Sequence, residues 1–247
     1  MSEHTGVTPT IVLVHGAFAD ASSWNGVIER LQHQGYTVIA PGNPLRGVTA
    51  DSAYLASLLG QIDGPVLLGG HSYGGAVISN AATGAPNVVG LVFVAAFAPD
   101  EGETLGEIEN GSKDSVLNSA LVQYNYPAGP GGATSVEFAI NPAHIREAFA
   151  ADLPPETTAL MAATQRPIAA AAFSDVCGPP AWKNLPSWAV VATGDKAAGA
   201  DVVRSEAQRA SADIVEVEGS HVIMISQPQV VTDHILKAVR AVAATPR

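Results

Sequence analysis

The chain alternates short apolar runs with longer segments in which apolar residues return every three or four positions. Six runs are rich in β-branched residues: Ile11 to Val14, Tyr36 to Ala40, Val66 to Leu68, Gly90 to Ala95, Trp188 to Ala192 and Ile214 to Val217. Most lack the polar alternation of a strand with one wet face, so they predict strands of a parallel sheet buried on both sides. Between them, helical spacing predicts helices over Ser23 to Gln34, Thr49 to Ile62, Tyr73 to Thr83, Asp201 to Ser211 and Gln227 to Ala244. Strand and helix alternating in this way specify an α/β fold with a mainly parallel six-stranded sheet flanked by helices.

The rhythm breaks once. From Pro99 to Pro186 no strand pattern stands out, and the segment carries Pro- and Gly-rich joints such as Pro127 to Gly132. Short helix candidates lie at Ala143 to Ala150, Glu156 to Thr164 and Ile168 to Phe173. The expectation is a helical cap, residues 99–186, inserted after the fourth strand into a core of residues 1–98 and 187–247. Apolar faces on the candidate helices need burial, which argues against a disordered loop.

Composition narrows the function classes. The 247 residues suit one α/β core with a small insertion, and 47% hydrophobic against 14% charged residues supplies the apolar surface that such a sheet needs. A formal charge of −11, with only 12 Lys and Arg and no run of them, argues against a surface that tracks nucleic acid. No apolar stretch reaches the ~18 residues of a bilayer span, and Met1-Ser2-Glu3-His4 lacks a signal-peptide pattern, so the expectation is a cytoplasmic protein without a membrane partner. The single cysteine, Cys177, allows no internal disulfide and, beside Gly178-Pro179-Pro180, reads as a packing residue. Nothing in the pattern fixes an oligomeric state.

Candidate chemistry begins at Gly70-His71-Ser72-Tyr73-Gly74, directly after an apolar run and directly before a helix pattern. A strand that reverses sharply into a helix strains the residue at its tip, and glycine-sized neighbours let the backbone pass. Ser72 is therefore the candidate nucleophile, with the Tyr73 N–H at the helix N-terminus as an oxyanion donor. A serine hydroxyl needs a base, and the base needs a third group to hold its tautomer. His221, in Glu218-Gly219-Ser220-His221 after the last strand, is the candidate base. Asp195, in Thr193-Gly194-Asp195 after the fifth strand, is the preferred acid, with Asp201 and Asp100 as rivals. His71 reads as structural, His234 as surface or packing, and His4, His33 and His144 match no strand end. The first strand exits through Val14-His15-Gly16-Ala17-Phe18; Ala17 N–H is the second oxyanion donor, His15 braces the turn, and Phe18 walls the substrate pocket or fills the core. No His-Glu-x-x-His zinc signature or Gly-x-Gly-x-x-Gly fingerprint occurs, so no metal or organic cofactor is implied.

These residues resemble the α/β-hydrolase superfamily. More narrowly, His15-Gly16-Ala17 with Trp24, Gly70-His71-Ser72-Tyr73-Gly74-Gly75 and Gly219-Ser220-His221 are similar to bacterial pyrethroid-type carboxylesterases and to the plant methylesterase and hydroxynitrile lyase branch. The resemblance spans about Thr10 to Phe97 and Pro186 to Val239, and implies a serine hydrolase acting on esters through an acyl-enzyme; the apolar composition of the cap suggests that the ester is small to medium and largely apolar. Lyases of that branch carry a threonine where this chain has Gly16 and a lysine where it has Val222, so those departures favour ester hydrolysis. Lys196-Ala197-Ala198-Gly199 also departs from the branch, which commonly has a proline near Gly199. A lyase, a carbon–carbon hydrolase, a cofactor-free oxygenase or a slow ligand sensor remain the alternatives on the same scaffold.

Overall fold

The computed structural model describes residues 8–129 and 131–244, which leaves Met1-Ser2-Glu3-His4 outside the described residues. The amino-terminal half runs β1 (Thr10–Val14), α1 (Asn25–His33), β2 (Val38–Ile39), α2 (Val48–Leu59), β3 (Val66–His71), α3 (Tyr73–Ala81) and β4 (Val88–Val94). An insertion follows: α4 (Leu105–Asn110), α5 (Leu117–Ala120), β5 (Leu121–Pro127), β6 (Thr134–Ile140), α6 (Ile145–Phe149), α7 (Pro155–Thr164), β7 (Ile168–Ala169) and α8 (Ala171–Ser174). The core resumes with β8 (Ser187–Ala192), α9 (Ala200–Arg209), β9 (Asp213–Val217), α10 (Ile223–Ser226) and α11 (Pro228–Ala243).

Six strands form one sheet in the order β2-β1-β3-β4-β8-β9, and every neighbouring pair is parallel. Every residue of β3 and of β8 is buried, as continuous apolar strands under helices must be. α1 packs against α11, α2 packs against α3, and both α3 and α11 rest on β3 and β4. Fully buried side chains such as Leu67 and Leu68 contribute about 1.5–3 kcal/mol each. Because the strands are parallel, the exits of β1, β3, β8 and β9 all lie at one edge of the sheet, where ligands of open α/β folds bind.

The insertion corrects one expectation: it is not wholly helical. β5, β6 and β7 form a separate antiparallel sheet, with Leu121 opposite Ile140 and Pro127 opposite Thr134. The Gly-rich joint after Pro127 is its hairpin turn, closed by the Ala128 N–H on Ala133 O at 2.9 Å, with Gly131 and Gly132 both at φ +83. Gln123 and Asn125 alternate with Val122, Tyr124 and Tyr126, so the two-residue period was present without an apolar run to reveal it. Ile168 to Phe173 is likewise not one helix: Ile168 and Ala169 pair with β6, and helix starts only at Ala171. Pairing with β6 overrode the helix preference of Ala169 there.

Candidate active site

The turn at Ser72 is strained as its glycines foretell. Ser72 joins β3 to α3 at φ +53 and ψ −124, a conformation that costs a non-glycine residue about 1–3 kcal/mol. Its neighbours hold it there: the Ser72 N–H donates to Val94 O at 3.3 Å, and its carbonyl accepts Gly75 N–H at 2.9 Å and Phe97 N–H at 3.2 Å. A Cβ on Gly70 would stand 2.6 Å from Gly74 O, and one on Gly74 would stand 2.6 Å from Val14 O, so both flanking positions need glycine. Tyr73 opens α3, where N–H groups have no intrahelical acceptor. Its hydroxyl donates to Asp51 Oδ2 at 2.7 Å, and Asp51 also accepts the Arg46 N–H at 3.1 Å. Burial pushes the Asp51 carboxyl up, against those hydrogen bonds, and burial together with the Asp51 charge pushes the Tyr73 phenol up.

The β1 exit lies directly against Ser72. A Cβ on Gly16 would meet Ser72 Cβ at 2.7 Å and His71 O at 2.9 Å. His15 braces this turn, with Nδ1 2.8 Å from Gly16 O and Nε2 accepting the Asn43 N–H at 2.8 Å, while the Asn43 amide donates to His15 O at 3.0 Å. That pattern requires a neutral ring protonated on Nδ1, and burial pushes the His15 pKa down in agreement. Among the described residues the Ala17 N–H meets no acceptor. Phe18 adopts φ +59, donates its N–H to Arg166 O at 3.2 Å, and lines a cavity of about 210 Å³ with Ala19, Met161, Thr164 and Ile225.

Asp195 and His221 meet at the same edge. His221 Nδ1 lies 2.7 Å from Asp195 Oδ2, and both side chains are essentially inaccessible to solvent. Asp195 Oδ1 accepts the Ala197 and Ala198 N–H groups at 2.9 and 3.0 Å. The segment that departs from the family pattern thus supplies the two donors that fix the carboxylate. The rivals point elsewhere: Asp100 pairs with Lys183, and Asp201 accepts Ser112 Oγ at 2.6 Å and the Lys113 N–H at 2.8 Å. His71, the residue before Ser72, links the two loops, because its Nε2–H donates to His221 O at 3.0 Å and the two rings lie 4.7 Å apart. Burial and the neighbouring His221 push the His71 pKa well down, so it stays neutral. Trp24 packs edge-on against His71 at 6.4 Å.

Three neighbours escaped the sequence reading. Phe149, at the end of α6, places its ring 5.1 Å from His221 and 6.1 Å, edge to face, from Phe18. Asn43 holds His15, and Asp152 holds Ser220. None carries a motif, since each acts through proximity that only folding creates. Cys177 is buried, and burial with the nearby carboxylates of Glu206, Glu103 and Asp175 pushes its thiol up to about 12, as suits packing. His234 is also buried, with Nε2 2.9 Å from Asp213 O, so it packs within the fold and is not at its surface. Among the described residues no group of three or more His, Cys, Asp and Glu could hold a metal ion, and no helix is long and apolar enough to cross a membrane.

A parallel sheet whose third strand ends in a strained serine, with an acid and a histidine delivered by later strand exits, defines an α/β hydrolase. The chain belongs to the Alpha/beta hydrolase family, whose model matches residues 11–234. It is similar to a carbendazim hydrolyzing esterase of Nocardioides sp. (strain SG-4G), 33% identical over 107 residues, covering 38% of this chain and 44% of that protein. It is similar too to a pyrethroid hydrolase of Sphingobium wenxiniae, 31% identical over 166 residues, covering 59% of this chain and 56% of that protein. The chain thus spans about half the length of these two relatives. Among solved structures, polyneuridine aldehyde esterase shares the fold at a TM-score of 0.79 and 21% identity, over 94% of this chain and 99% of that one. An Arabidopsis methylesterase does so at 0.76 and 20% identity, over 94% and 99% of the two chains.

Proposed function

We propose that this chain is a serine carboxylesterase that cleaves small to medium, largely apolar esters through an acyl-enzyme. Ser72 attacks the ester carbonyl while His221 takes its proton; the tetrahedral oxyanion forms against the Ala17 and Tyr73 N–H groups. His221 then returns the proton to the leaving alkoxide, and a water activated by the same histidine releases the acid. Asp195 keeps the proton of His221 on Nδ1, so Nε2 is free to act as base. The observation that carries this reading is the buried Asp195–His221 pair at 2.7 Å, tied by a hydrogen bond to His71, the residue next to a strained Ser72.

Phe18, Met161 and Ile225 line the cavity at the β1 exit together with Asp20, Ser22, Ser23 and Asn25, and the Phe149 ring packs against Phe18; these apolar side chains support a largely apolar substrate. Esterase and hydrolase names among the relatives support ester cleavage as well. The test is a fluorophosphonate adduct on Ser72 together with turnover of short p-nitrophenyl esters. Both are expected in the wild-type protein and absent from Ser72→Ala. A protein that stays unmodified, or a Ser72→Ala variant that still turns over, would refute the assignment.

A further inference from the structure

Asp152 lies in the turn between α6 and α7, three residues beyond Phe149. Its Oδ2 accepts the Ser220 N–H at 2.9 Å, and its Oδ1 accepts the Ser220 hydroxyl at 2.5 Å. Two carboxylate oxygens gripping one residue by backbone and side chain fix it in two directions, which a single bond cannot do. The next residue is His221. The loop passes close beneath the carboxylate, since a Cβ on Gly219 would stand 2.9 Å from Asp152 Oδ2. From the core side, Gly219 O accepts the Gly194 N–H at 2.9 Å, next to Asp195. Burial raises the Asp152 pKa, but the Ser220 bonds outweigh it and hold the carboxyl below its ordinary range, so the grip is ionic near neutral pH.

We infer that Asp152 is a positioning residue for His221, tying the insertion to the loop that carries the base. The same stretch of the insertion lays the Phe149 ring on the His221 imidazole, so one short segment presses on the ring and anchors the backbone of the residue before it. Seating of the insertion and alignment of the imidazole are therefore one event. The inference rests on His221 serving as base to Ser72.

Four proteins decide it: wild type, Asp152→Ala, Asp152→Asn and Ser220→Ala. Each is measured for kcat and KM on a short p-nitrophenyl ester, for the rate of Ser72 phosphonylation, and for Tm. A base displaced by about 1 Å is expected to cost roughly 10²-fold, so Asp152→Ala should lose about 30- to 100-fold in kcat with KM within about threefold. Phosphonylation should slow in parallel. Asn at 152 can accept the Ser220 N–H and donate to its hydroxyl oxygen, so Asp152→Asn should recover to within about fivefold of wild type. A folded Asp152→Ala protein with wild-type kcat and phosphonylation, or an Asn variant no better than Ala, overturns the inference. Should Asp152→Ala fail to fold, Ser220→Ala decides: it removes one of the two bonds, and an unchanged kcat overturns the inference. If wild type itself resists phosphonylation, the serine hydrolase reading falls and this inference with it. Reactive wild type with indifferent variants sinks the Asp152 role alone.

Discussion

Replacing Asp195 by asparagine tests the site most sharply, because the surrounding donors dictate how the amide must sit. Asp195 Oδ1 receives two backbone N–H groups, from Ala197 and Ala198, while Oδ2 faces His221 Nδ1. An asparagine can keep its oxygen on those two donors, which turns its NH₂ toward His221. The imidazole must then accept at Nδ1 and carry its proton on Nε2, the nitrogen that has to take the serine proton. The flipped amide would preserve the histidine tautomer but would aim its NH₂ at two buried N–H groups. Each donor left unsatisfied costs about 1–3 kcal/mol, so the non-productive orientation is favoured by several kcal/mol. The precedent for a triad aspartate changed to asparagine in serine proteases is a loss of about 10⁴ in turnover, equivalent to about 5.5 kcal/mol in the barrier. Steady-state hydrolysis of a p-nitrophenyl ester measures it, with Asp100→Asn and Asp201→Asn as controls within about twofold of wild type. The controls should be quiet because Asp100 pairs with Lys183 and Asp201 with Ser112 and Lys113, away from His221. An Asp195→Asn enzyme within tenfold of wild type, or a larger loss in either control, would refute this reasoning.

Gly16→Ala should place a methyl 2.7 Å from Ser72 Cβ and push the Ala17 N–H from its place; kcat is expected to fall about 10²-fold or more in the same ester assay. Tyr73→Phe removes the donor to buried Asp51 at 2.7 Å and should lower unfolding stability by about 1–3 kcal/mol in urea titrations, with unchanged stability counting against the bond. Burial outweighs the Ala98 N–H and the Arg209 guanidinium and raises the Glu206 carboxyl from 4.5 to about 7. The folded value exceeds the unfolded one, so this group's contribution is complete below pH 4.5 and is lost as pH rises to about 7, a decline of about 3 kcal/mol. Glu206→Gln should flatten that part of the stability curve between pH 4.5 and 8; a parallel curve for the variant would contradict it.

The core was legible because the central strands, buried on both faces, leave continuous apolar runs; all six strands occur, although the edge strand β2 shortens to Val38–Ile39 and the edge strand β9 is only partly buried. Gly70 and Gly74 marked the Ser72 turn because that turn leaves no room for Cβ atoms, a constraint written directly into residue choice. The β5–β6 hairpin stayed hidden because its partly exposed, polar-interleaved strands gain stability from pairing with each other more than from an apolar face. Local sequence also left three carboxylates in contention after plausible strand ends. Only folding showed that Asp195 faces His221, that Phe149 covers that ring, and that Asp152 grips the loop before it. Those contacts join residues that are distant along the chain, and short-range pattern records what one segment prefers, whereas the packing of separate segments decides which side chains meet.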